Sequence, residues 1–121
     1  MRLVFIFLLM ALAAPAWAEW VKYGETDIAS LYYEPATIKK HGNRVGVWRI
    51  TDLKERHKDG ALSFHGLEEY DCKEERVRFV SLTAFSGPMA SGKILRSARK
   101  QFERNILPGS VAETMLKILC R

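Results

Sequence analysis

Cys72 and Cys120 are the only cysteines in the chain of 121 residues, and the second closes the amphipathic stretch "GSVAETMLKILC". What such a pair can do depends on the compartment, which the other end of the chain addresses. Arg2 supplies a positive start, Leu3 to Ala14 an apolar run, and Ala16-Trp17-Ala18 a small-x-small cleavage pattern, so residues 1–18 read as a secretory signal cut near Ala18. The run is shorter than the roughly 20 residues a membrane span needs, and Pro15 interrupts it. No cysteine follows the cleavage position to carry a lipid, and no later stretch is apolar enough to span a bilayer. The expected location is the periplasm, the cell surface or the medium. In an oxidising compartment the two cysteines can close into a disulfide; two independent buried thiols are the alternative. A bridge over residues 72 to 120 would restrict the unfolded chain by about 4 kcal/mol in the loop-entropy picture.

The segment ending in Cys120 has its own logic. Ser110 and Glu113 form a capping box, preceded by the breakers Pro108 and Gly109. On a helical wheel Glu113, Thr114, Lys117 and Arg121 share one arc, and Val111, Ala112, Met115, Leu116, Ile118 and Leu119 fill the opposite side. A helix this short is marginal in water, so its apolar stripe must be buried against something. Cys120 falls at the border of that stripe. It would fasten the helix from the side to the sheet face that carries Tyr70 and Cys72, where an end would otherwise fray.

The rest of residues 19–121 reads as one domain of short strands, with no repeat and no Pro/Gly/Ser linker. Trp20 to Tyr23 is a first strand ended by Gly24, and Ala29 to Tyr33 a second stopped by Pro35. "HGN" at 41–43 is a hairpin turn. "RVGVWRITDL", Arg44 to Leu53, is apolar on both parities and predicts a central strand covered on both faces. The polar loop 54–60 follows. From Ala61 to Cys72 the even positions form the buried face, with Glu68 the exception. Arg76 to Phe85 changes phase, which predicts a bulge near Phe79. Residues 86–92 are a turn cluster and Lys93 to Ser97 a further strand. For 98–106 helix and extended chain remain equally open, because Ile94, Leu95, Ala98, Phe102 and Ile106 also share a helical face.

Signals for chemistry are few. Gly87 to Lys93 matches G-x-x-x-x-G-K, but Ile94 stands where magnesium needs Ser or Thr, and Pro88 removes an amide from the cradle, so a plain inter-strand turn is expected. His41, His57 and His65 have no metal-ligand spacing and read as solvated. Glu68, Glu69 and Asp71 read as a surface acidic patch. With no G-x-S-x-G and no free thiol in the bridged form, no catalytic residue, metal or cofactor is expected. The formal net charge is +5, of which Arg2 contributes one. That mild excess suits an acidic partner and is too small to argue for nucleic acid. Lys93, Arg96, Lys100 and Arg104 would form a basic stripe if their stretch were helical, a contact surface for an extracellular protein or acidic glycan.

Trp20, "RVGVW", "LEEYDCKEERVRF" and above all "LPGSVAETMLKILC" resemble the bacterial surface-adhesin protein E family, over essentially all of residues 19–121. The resemblance implies an α+β fold: about six antiparallel strands with one C-terminal helix packed on a face and tethered by a Cys72–Cys120 disulfide. It also implies homodimers, and binding to host matrix and serum proteins as in the founding adhesin. Three classes of function follow: an exported binding module, a structural envelope protein that dimerises through its sheet, and a small hydrolase or metal protein built on the acidic cluster.

Overall fold

A computed structural model of the chain describes residues 19–99 and 101–121. The expected signal at 1–18 and Lys100 of the basic set lie outside the described residues. Among the described residues eight antiparallel strands form one sheet: β1 (Val21–Glu25), β2 (Ala29–Tyr33), β3 (Lys39–His41), β4 (Arg44–Leu53), β5 (Ser63–Asp71), β6 (Arg76–Phe85), β7 (Ile94–Ala98) and β8 (Phe102–Asn105). Six of them run in the order β1-β2-β4-β5-β6-β7. The short strands β3 and β8 pair with β4 and β6 beyond the ends of β2 and β7. A helix, α1 (Val111–Leu119), packs on one face. No helix of the described residues is long and apolar enough to cross a membrane.

Alternation along the strands divides the sheet into a helix side and a far side. On the helix side Val45, Val47, Tyr70 and Val77 meet Met115, Leu116 and Leu119 of α1 in one core cluster. On the far side Trp48 opposes Leu67, and the fully buried Ile50 opposes His65. The central strand is thus covered on both faces, as its apolar parities predict. The bulge also falls where the change of phase put it: Glu68 pairs with Phe79 and Leu67 with Ser81, leaving Val80 as the extra residue. It returns Leu82 and Ala84 to the helix side.

The first strand differs from expectation. It runs through Gly24 to Glu25, with an irregularity between Lys22 and Gly24 that makes room for Tyr23. The turn between β3 and β4 takes its positive φ, 61°, at Gly42. Within 98–106, Ala98 ends β7 and Phe102–Asn105 form β8, so the described part of this stretch holds strand and no helix.

At the start of α1 the Ser110 side chain accepts the Glu113 amide at 3.2 Å, and the Glu113 carboxylate accepts the Gly109 amide at 3.2 Å. The box therefore closes one residue earlier than the standard reciprocal pair. Lys117 sits in the last turn, where a cation complements the helix dipole. Cys120 caps the other end and is bonded to Cys72, with 5.6 Å between their Cα atoms. The bridge ties the helix to the end of β5, so two elements distant in sequence share one fixed junction.

Candidate binding surface at the open sheet edge

The helix covers only part of its side of the sheet. Toward β7 and β8 a recess of about 150 Å³ remains open, lined by Arg49, Gly66, Glu68, Phe79, Ser81, Leu82, Ala98 and Phe102. Its rim keeps large apolar groups in water: Leu82 is 46% exposed and Phe102 54%. Phe102 stacks on Phe79 with ring centroids 4.8 Å apart, and the Arg104 guanidinium lies 4.9 Å from the Phe79 ring centre. A glycine is needed in the wall, because a Cβ on Gly66 would stand 2.7 Å from the Ser81 carbonyl oxygen.

The floor is ionic but internally balanced. Glu68 is only 4% exposed, and its carboxylate pairs with Arg49 and accepts the Tyr70 hydroxyl at 2.8 Å. Arg49 also donates to the Thr51 hydroxyl at 2.8 Å. Burial by itself would favour loss of the Arg49 proton, yet the neighbouring Glu68 outweighs it and holds the guanidinium above its usual value. Burial and the same carboxylate push Tyr70 well above the ordinary phenol range. A charge taken out of water needs this degree of pairing. The network lies at the seam between helix and recess, against Tyr23, Val111 and Ala112.

These contacts correct the reading of Glu68, Glu69 and Asp71 as an acidic surface patch. Glu68 belongs to the buried face, facing the sheet's helix side with Tyr70. Glu69 pairs with Arg78, and Arg44 lies 3.8 Å from Asp71 and 3.4 Å from Glu103. Basic side chains answer the acidic ones across the strands. Asp71 additionally accepts the Lys73 and Glu74 amides, which hold its carboxyl below the usual range.

Lys93, Arg96 and Arg104 do not form a helical stripe, since β7 and β8 are strands. Arg96 on β7 and Arg104 on β8 point to the helix side, opposite Ala84 and Val77, and flank Ala98 and Phe102 at the rim. Arg96 also reaches Asp59 at 2.6 Å. Asp59 accepts the Ala61 amide and contacts His57 at 2.9 Å, and these partners bring its carboxyl down to about 2. This knot pins the loop 54–62 to the edge strand. Lys93 closes the preceding turn, its amide donating to the Ser86 hydroxyl at 2.8 Å.

In that turn the resemblance to a phosphate loop ends in hydrogen bonding. Gly87 donates to the Ser91 carbonyl, Met89 to the Asp52 carboxylate and Ala90 to the Ser63 hydroxyl. Amides that would cradle a phosphate are thus committed within the chain. They also hold Met89 and Ala90 at φ of 51° and 57°.

His41 is exposed and His57 belongs to the Asp59 knot. His65 departs from the solvated reading: it stacks on Trp48 at 4.7 Å and meets Trp20 edge-on at 5.6 Å, and its half-burial lowers its proton affinity. Among the described residues no group of three or more His, Cys, Asp or Glu is placed to hold a metal ion. The ion pair under the recess and the tryptophan–histidine stack escaped the sequence reading; the tryptophans flanking apolar strands were the one available signal for the stack.

Comparison with known proteins bears on the fold. The family profile described as surface-adhesin protein E matches residues 20–121. The structure of crystal form II of Haemophilus influenzae protein E superposes with a TM-score of 0.70 at 12% identity, covering 88% of this chain and 90% of that one. The structure of its selenomethionine form gives 0.68 at 11% identity, over 88% of each chain. Protein E from non-typeable Haemophilus influenzae gives 0.62 at 12%, over 88% and 78%. No curated protein sequence matches the chain.

Proposed function

Given that the chain belongs to the surface-adhesin protein E family, we propose that it is an exported binding module, released near Ala18, that contacts host matrix or other extracellular macromolecules and catalyses no reaction. The observation that carries this reading is where the charge sits. Residues 93–104 hold Lys93, Arg96, Arg99, Lys100 and Arg104 against Glu103, a surplus of four. With Arg2 set aside, that is the whole surplus of a chain whose formal net charge is +5; outside this stretch the charges of residues 19–121 cancel. A strongly one-signed edge on an otherwise neutral body steers and orients an acidic partner, and the attraction weakens with salt.

The test is retention of residues 19–121 on immobilised matrix proteins and on a heparin-like glycan across a salt series. Retention lost on raising salt, and lost in the variant with Lys93, Arg96, Lys100 and Arg104 changed to Glu, supports the reading. No retained partner even at low salt removes it.

A second reading, a structural envelope protein that dimerises, is favoured by the position of β7 at the end of the strand order with its outer edge open among the described residues. Sedimentation across a concentration series separates the two readings, because a protein built to pair through that edge sediments as a dimer with no ligand present.

A further inference from the structure

The basic edge and the apolar recess share one face of the sheet, and together they specify more than an acidic partner. Along the helix side of β7 and β8 the order is Arg96, Ala98, Phe102, Arg104: charge, small residue, exposed ring, charge. Ala98 leaves a low wall between the edge and the recess, and Phe79, Leu82 and Phe102 supply apolar sides. A volume of about 150 Å³ is that of a cavity able to admit one small aromatic ring. It is too small for a lipid chain or a sugar oligomer to lie within. The Arg49–Glu68 floor has its charges already matched, so a charged group entering there would find no counter-ion.

We propose that this surface binds an extended acidic peptide segment through one aromatic or large aliphatic side chain seated in the recess, with carboxylates on either side of that side chain meeting Arg104 and, in exchange for the exposed Asp59 pairing, Arg96. The inference rests on the binding-module reading above and narrows its partner to a protein rather than a glycan. A heparin-like glycan can satisfy the arginines but carries no aromatic or large aliphatic side group to seat among Phe79, Leu82 and Phe102. The anchor gives selectivity and the charges give approach, the usual division between a buried centre and a polar rim.

Three blocked heptapeptides test it, labelled for fluorescence anisotropy and mixed with residues 19–121: acidic with a central Phe, acidic with a central Ala, and lysine-flanked with the same Phe. The acidic Phe peptide should bind about tenfold or more tighter than the Ala peptide, the gain expected from burying one ring, and the lysine-flanked peptide should not bind. In Ala98→Phe, an exposed edge position whose new ring fills the recess, the Phe and Ala peptides should come within about twofold of each other. Retention on the matrix-protein column should fall in that variant. Phe102→Ser, which lowers the wall without filling it, should reduce the anchor's advantage.

Equal binding of the two acidic peptides to the unaltered protein overturns the proposal, as does an anchor advantage that survives Ala98→Phe. If neither peptide binds while the glycan is retained and released by salt, the peptide proposal falls and the binding-module reading stands. If nothing is retained at all, both fall.

Discussion

The two halves of the helix side have been finished differently. Under α1, Val45, Val47, Tyr70 and Val77 are sealed by Met115, Leu116 and Leu119, and the junction is fixed by a covalent bridge. A few residues along the same strands, Leu82 and Phe102 stand half open over a recess. The strand chemistry is alike in both places. The lesson is that cover, rather than composition, decides whether an apolar strand face becomes core or contact surface. Among the described residues α1 seals only part of the sheet's helix side, and the uncovered part is where apolar groups stay in water.

The seam between the halves offers the sharpest way to break this comparison. Glu68→Leu leaves Arg49 buried opposite no carboxylate and should cost about 3–5 kcal/mol in urea unfolding, while the double change Arg49→Met with Glu68→Leu should recover most of it. A double variant as unstable as the single would mean that the pair is not what the seam is built around. Next in size is a matched pair of truncations. Met115→Ala, from a fully buried site, should cost about 2–5 kcal/mol; Leu82→Ala, at the open rim, should cost well under about 1 kcal/mol. Equal losses would erase the distinction between core and surface.

The smallest effect lies on the far side. His65 is held below its ordinary value of 6.5, so the folded state takes up its proton less readily than the unfolded chain. Its contribution is complete above about pH 6.5 and is lost as pH falls through the folded value. The unfolding midpoint should therefore decline with acidification below 6.5, and part of that slope should vanish in His65→Phe. An unchanged slope would remove His65 as its source.

Much of the architecture could be read from residue pattern, for reasons tied to burial. Arg44–Leu53 advertised a doubly covered strand because both its parities touch core, and the bulge at Val80 was visible because burial on either side of it falls on opposite parities. The capping box announced α1 through local hydrogen-bonding chemistry alone. Residues 98–106 were undecided because an edge strand buries little on any face, so no period is imposed on its side chains. The ion pair was hidden for a different reason. Arg49 opposes Gly66 and Glu68 opposes Val47, so the two charges meet diagonally, and only the strand register brings them together. The same register places Arg96 and Arg104 beside the recess, which neither sequence spacing nor a helical wheel could reveal.

The bridge from Cys72 to Cys120 also sets an order of events. Because α1 follows the described strands in the sequence, the element that seals the sheet is the last to be made. Until the helix is in place, Val45, Val47, Tyr70 and Val77 lack their cover of Met115, Leu116 and Leu119, and Cys72 lacks its partner thiol. The bond can therefore close only once the whole sequence is made, and it ties the seal to the sheet that it covers.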